Sequence, residues 1–188
     1  FRSPKLKMVV CKSCWHVQAG SVPLPYFYVN DYTYHTRFSK TMDEHFKHRA
    51  KSIINKFKVK TKDLVIDIGG NDGTFLNNFK KINKKIETLC VDPTSETTQF
   101  AKKKGINVFL DFFNLKNSNA IKKKYGTPKI ILCTNTFGAI NDMKGFVSGL
   151  KNIMDENTIF IYENPYLLNT FKGLQFDTMY YEHISYFA

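Results

Sequence analysis

The chain closes on FDTMYYEHISYFA, residues 176–188. Tyr180, Tyr181, Glu182, His183 and Tyr186 crowd into it with Asp177. An imidazole near its ordinary pKa can take a proton at neutral pH. A tyrosine hydroxyl can donate a hydrogen bond to an oxygen that gains charge. From the residues alone two readings stand. The stretch is a tyrosine-rich wall with a surface histidine, or it is an active-site loop.

A second group lies in DIGGNDG, residues 67–73. Gly69 and Gly70 let the backbone turn tightly and approach a ligand. Gly73 opens a helical pattern whose first N–H groups are free to face that ligand. Asp67 sits in the preceding apolar run, where a carboxylate is costly without a partner. Asp92 ends the next apolar run, 25 residues on, a separation suited to an acid that meets ribose hydroxyls. Asp111, Phe112 and Phe113 follow a third run and could bracket an aromatic base. Asn71 and Asp72 interrupt the GxGxxG dinucleotide pattern, and no Gly-Lys-Ser/Thr ending marks a phosphate loop. An acidic turn of this kind suits a ligand with an amino group and ribose hydroxyls but no phosphate. S-adenosylmethionine fits, with Asp67, Gly69, Asn71, Gly73, Asp92 and Phe112 as contacts and Asn135 beside them at the end of the fourth strand. A purely structural turn is the alternative.

The third candidate is Cys11-Lys-Ser-Cys14. A zinc knuckle needs four ligands, usually two such pairs. One pair is half of a site, and His16 is too close in sequence to be assumed a third ligand. A redox pair belongs at a helix start in a thioredoxin-like unit, and no such unit is evident. His45 and His48 fall on a helical pattern and are expected to pack or hydrogen-bond, not to ligate.

The elements that must position these groups follow from periodicity. Phe46, Ala50, Ile53, Ile54 and Phe57 recur at helical spacing between Ser39 and Lys58, with Thr41 and Glu44 as a capping box. Strands are expected at 63–69, 87–92, 106–110, 129–135 and 158–163. Helices are expected at 73–82, 95–105, 117–126 and 143–154. This alternation implies an α/β fold with a mainly parallel sheet and helices on both faces. Residues 1–30 read as a small irregular module, 31–58 as a connecting helical segment, and 59–188 as the main domain.

Composition limits the function further. The 188 residues carry a net charge of +12. Only Arg2, Arg37 and Arg49 are arginines, and the lysines cluster at 80–85, 102–104 and 122–124 on separate helices. Readers of nucleic acid favour arginine, so a solvated surface is the better reading. No apolar run approaches the roughly 18 residues of a membrane span. Cys90 and Cys133 lie in apolar strands and read as reduced core residues, in keeping with a cytoplasmic setting. The apolar stretch near the start is too short for a signal peptide. The chain opens on Phe1 without an initiator methionine, so its start is expected to lie inside a longer protein.

LVIDIGGNDGTFL (64–76) resembles the cofactor turn of S-adenosylmethionine-dependent methyltransferases. FDTMYYEHISYF (176–187) resembles the catalytic signature of the family that C-methylates nucleotide-linked keto-sugars. DYTYHTRFSKTMDEHF (31–46), NPYL (164–167) and LKMVVCKSCWHVQ (6–18) resemble further segments of that family, in the same order. The last resembles the second half of a zinc-binding module. The resemblance implies a Rossmann-like methyltransferase sheet and a partial zinc-knuckle-like segment holding Cys11 and Cys14. It implies carbon methylation through an enolate, with His183 as base and Tyr180 or Tyr34 as donor to the enolate oxygen. Glu182 would orient the histidine or bind a sugar hydroxyl. Ala139 and Tyr181 stand where the family commonly has His. The family's first Cys pair, last two strands and large C-terminal domain have no counterpart, which implies truncation at both ends. The expected consequences are an uncovered edge on the fifth strand, self-association through it, and a mobile terminal loop. A non-catalytic module derived from this fold is the alternative, and a nucleic-acid methyltransferase is a weaker one.

Overall fold

The computed structural model describes residues 6–30 and 32–188. Asp31, which opens the stretch at 31–46, and Arg2 lie outside them. Two strands, β1 (Met8–Val10) and β2 (Val17–Ala19), and a short helix, α1 (Pro25–Asn30), precede the long helix α2 (Lys40–Phe57). The alternating unit then runs β3 (Leu64–Ile68), α3 (Thr74–Ile82), β4 (Glu87–Val91), α4 (Ser95–Lys103) and β5 (Asn107–Phe109). It continues through α5 (Leu115–Tyr125), β6 (Ile130–Thr134), α6 (Met143–Ile153) and β7 (Ile159–Glu163). Helix α7 (Leu167–Lys172) and strand β8 (Ser185–Tyr186) close the chain.

The main sheet has five strands in the order β5-β4-β3-β6-β7, all parallel. Its strands are apolar runs because both faces are covered. Side chains alternate across it. Val65, Cys90, Ile130 and Leu132 pack with Phe46, Ala50 and Ile53 of α2 and Phe75, Leu76 and Phe79 of α3. The Phe46 and Phe75 rings stack at 4.3 Å. On the other face Ile66, Leu89, Ile131 and Cys133 pack with Ile121 of α5 and Phe146, Leu150 and Ile153 of α6. Burial of Cys90 and Cys133 in these layers pushes both thiols up. The chain leaves β3 toward β4 and β5, then crosses to β6 and β7 on the other side. In such sheets the crevice at the carboxyl ends of the strands, where the order reverses, is where ligands bind.

Several expectations change in detail. Helix α2 is capped by Ser39, whose Oγ accepts from the Met42 N–H at 3.2 Å, and not by Thr41, which lies inside the helix. The segment expected to be an irregular zinc-knuckle-like module is a β-hairpin. β1 and β2 pair antiparallel, and β2 pairs antiparallel with β8 in a second, three-stranded sheet. Cys11 and Cys14 sit on the hairpin loop as free thiols. Among the described residues no group of three or more His, Cys, Asp or Glu could hold a metal ion. Among the described residues no further ligand gathers around this pair.

The terminal segment was expected to lack support. Its support comes from the hairpin, through the Ala19 N–H to the Ile184 carbonyl at 3.0 Å and the register Gln18↔Ser185. Strand β7 forms one edge of the main sheet, as expected. Among the described residues no helix is long and apolar enough to cross a membrane.

Candidate functional site

A cavity of about 650 Å³ opens at the carboxyl ends of β3, β4 and β6. Its floor is the turn after β3. Gly69 takes φ +74°, and a Cβ there would overlap the Thr136 side chain, so no other residue fits. Gly73 takes φ +72° and caps α3. A Cβ on it would meet Ile106 at 2.7 Å and Ala101 at 2.8 Å, so its role is to let the helix close on its neighbours, and it does not line the cavity.

Asn71 also sits at positive φ, 51°. Its N–H donates to Asp92 Oδ2 at 2.9 Å. Its side-chain amide donates to the Tyr34 carbonyl at 2.9 Å and accepts from the Thr36 N–H at 3.2 Å. The side chain thus straps residues 34–36 over the turn. Asp72, which the sequence reading used only to exclude a dinucleotide motif, is wholly buried and does the same work. Its carboxylate accepts from the Thr74 N–H at 3.1 Å and the Arg37 N–H at 2.8 Å, and Lys104 lies 3.6 Å away.

Asp67 and Asp92 line the cavity. Asp92 Oδ1 accepts from the Thr94 N–H at 2.9 Å. Burial pushes its pKa up, and the N–H groups of Thr94 and Asn71 oppose that shift. Asp67 has no hydrogen-bond partner among the described residues. Burial, and then the charge of Asp92, push it up to about 7. Phe112 lines the same cavity and meets the Tyr28 ring edge-on at 6.5 Å. Asn135, at φ 54°, ends β6 on the cavity wall.

The terminal cluster reaches the opposite wall. His183 is 5% exposed, against 40% for Tyr180. Tyr180 Oη lies 2.8 Å from His183 Nε2. Burial lowers the His183 pKa, while the backbone carbonyls of Asn135 and Thr178 act the other way. The ring is therefore neutral at pH 7, and its Nε2 can accept from the tyrosine hydroxyl. Burial and the charge of Glu182 push Tyr180 up to about 12, so the phenol keeps its proton. Glu182 lines the cavity but makes no contact with His183 that would orient it. Its carboxylate meets only its own backbone N–H, and burial pushes it up. Tyr34 lines the cavity and is half exposed.

The sequence reading missed the aromatic lid. Tyr28 and Tyr32, in and just after α1, line the cavity beside Glu182. The Tyr28 carbonyl accepts from Thr94 Oγ1 at 2.6 Å, and its hydroxyl donates to the Glu182 carbonyl at 3.3 Å. The run PYFYVN (25–30) was visible, but nothing local says which cavity it covers. Cys11, Cys14, His45 and His48 do not line the cavity. His45 instead bonds Glu163 at 2.9 Å, beside Arg49 at 3.7 Å.

The C-methyltransferase NovU of Streptomyces niveus is 25% identical over 183 residues, covering 97% of this chain and 43% of that protein. The chain thus spans less than half of this curated relative's length. Among solved structures, the plantazolicin methyltransferase BpumL, in complex with a pentazolic desmethylPZN analogue and SAH, superposes with a TM-score of 0.57 at 15% identity. That match covers 74% of this chain and 53% of that one. An S-adenosylmethionine-dependent methyltransferase from Clostridium acetobutylicum superposes with a TM-score of 0.54 at 17% identity, covering 70% of this chain and 54% of that one. These likenesses show a shared Rossmann-like methyltransferase fold. The methyltransferase-domain family matches residues 42–188, the whole five-stranded sheet together with the glycine turn and the terminal cluster, and the chain belongs to that family.

Proposed function

We propose that the chain is the cofactor-binding and catalytic part of an S-adenosylmethionine-dependent C-methyltransferase acting beside the ketone of a nucleotide-linked keto-sugar. One observation carries the reading. Buried His183 with its partner Tyr180, and a glycine turn with its acidic partner Asp92, open on the same cavity. The residues present fit the cofactor. Asp67 offers a buried, unpartnered carboxyl for an amino group, Asp92 an acid for ribose, and Phe112 a ring for the base.

When bound, the cofactor supplies an electrophilic methyl group. The chain's own part is to hold the acceptor and manage one proton. The proton must leave a carbon next to the ketone. Tyr180 and His183 both line the cavity, and Tyr180 is the more exposed of the two, so in this scheme its oxygen receives that proton as its own passes to His183 Nε2, 2.8 Å away. Neutral His183 is ready to accept it. With Tyr180 engaged in this way, the Tyr34 hydroxyl remains as donor to the enolate oxygen. The relative NovU supports carbon as the target, because it is named a C-methyltransferase.

The test is His183→Ala in the full-length protein. The variant should bind S-adenosylhomocysteine normally and form methylated product about 10²–10⁴-fold more slowly. Turnover of a keto-sugar at the unaltered rate would assign the proton to another group.

A further inference from the structure

The cavity has a charge pattern opposite to that of the molecule. The chain carries 28 Lys and Arg against 16 Asp and Glu. Among the described residues, none of those 28 cations lines the cavity, whereas Asp67, Asp92, Asp111, Asp142 and Glu182 all do. The nearby cations are engaged elsewhere. Lys104 Nζ donates to the Asp72 carbonyl at 2.9 Å, and the Arg37 guanidinium stacks on Phe100 at 3.4 Å.

Protein carboxylates also compete for the backbone. A helix N-terminus attracts a phosphate through its free N–H groups. Here one such N–H at each of three helix starts already serves a protein carboxylate, and a phosphate there would lie against that acid. Asp72 takes the Thr74 N–H of α3, Asp92 the Thr94 N–H ahead of α4, and Asp142 the Gly145 N–H of α6 at 2.9 Å. A phosphate in the cavity would meet acids and phenols with no counter-charge, and burying it so is strongly unfavourable.

Two of these carboxyls accept no hydrogen bond from another of the described residues. Asp67 lies at the cofactor turn, and Glu182 lies across the cavity beside Tyr28 and Tyr180. An acceptor-only group held among apolar rings calls for a donor from the ligand. We infer that the part of the acceptor entering this cavity is neutral or cationic, that it presents a hydroxyl or ammonium to Glu182, and that any phosphate it carries stays outside the walls described. This deepens the methyltransferase reading and rests on it for which end of the cavity the acceptor takes.

S-adenosylhomocysteine affinity is measured first by calorimetry; no binding would defeat the methyltransferase reading. Saturation-transfer NMR then compares methyl glucoside, methyl glucosaminide and methyl glucoside 6-phosphate, on the cofactor-loaded protein or, if none binds, on the free protein. Salt is kept at 0.15 M, where surface charges are screened beyond about 8 Å. The neutral and ammonium probes should saturate, and the phosphate should give a signal at least about tenfold weaker. Glu182→Gln should weaken the ammonium probe about five- to tenfold and leave S-adenosylhomocysteine binding unchanged, which shows that the variant is folded. Glu182→Lys should admit the phosphate. Equal signals from phosphate and neutral probes, no signal from either uncharged or ammonium probe, or no effect of Glu182→Gln would overturn the inference without touching cofactor binding.

Discussion

Asp67 and Asp92 show how one turn gives two carboxyls different duties. Asp92 is held by two backbone N–H groups and is fixed for hydrogen bonding. Replacing it with Ala should weaken S-adenosylhomocysteine binding by about 1–3 kcal/mol, the scale of charge-assisted hydrogen bonds; unchanged calorimetric affinity would remove it from the site. Asp67 has a folded pKa of about 7 against an ordinary 3.8. Between those values the folded chain holds a proton that the unfolded chain has lost, so stability falls as pH rises through the window. The slope can reach about 1.4 kcal/mol per pH unit. His183 is shifted down, so its own contribution falls as pH drops below its ordinary 6.5. The difference between wild type and Asp67→Asn isolates the first slope. Denaturant melts from pH 4 to 7 should show the variant losing less stability over that range, and parallel curves would mean that Asp67 is ionised throughout. The sequence made both acids conspicuous, because a carboxylate in an apolar run needs a reason. It could not reveal that Asp72 is the better-buried anchor, since three neighbouring N–H and cationic partners come from 30 or more residues away in two of three cases.

At the scale of elements, the five strands and the helices between them were legible because each strand is an apolar run and each helix has a repeating face. The three strands of the small sheet were not, because segments of two or three residues carry no period, and no alternation with helices announces them as it does the equally short β5. Their pairing is also remote, with His16 and Ser185 bonded across 169 residues. The hairpin and terminal strand nonetheless decide where His183 sits. Proline at Ala19, in the middle strand of the small sheet, removes the N–H that donates to the Ile184 carbonyl and should break the ladder to β8. Ala19→Pro should raise amide exchange across Tyr180–Phe187 and reduce turnover, while the amides of Val65–Asp67 in β3 stay protected. Equal protection of both regions in the variant would show that β8 does not depend on β2.

The whole molecule presents one strand edge of note. β7 pairs only with β6 among the described residues, and Tyr162 on it is 53% exposed. An unpaired edge of this sort is a template for another strand. We expect concentration-dependent dimers of the 188-residue chain in sedimentation, reduced by Tyr162→Lys. A monodisperse monomer at every concentration would show that the edge is protected by other means.

The bond across 169 residues also sets an order in time. At a synthesis rate of about 5–20 residues per second, roughly 10–30 s separate the two halves of the small sheet. Through that interval the nascent chain can already build the glycine turn, Asp92 and the tyrosines that lie over them. The imidazole of His183 follows them in the chain and comes to lie beside a hairpin made earlier. Under the proposed function, ability to hold a cofactor then comes before ability to move a proton, and a ribosome-bound chain stalled short of Tyr180 should bind S-adenosylhomocysteine without turnover.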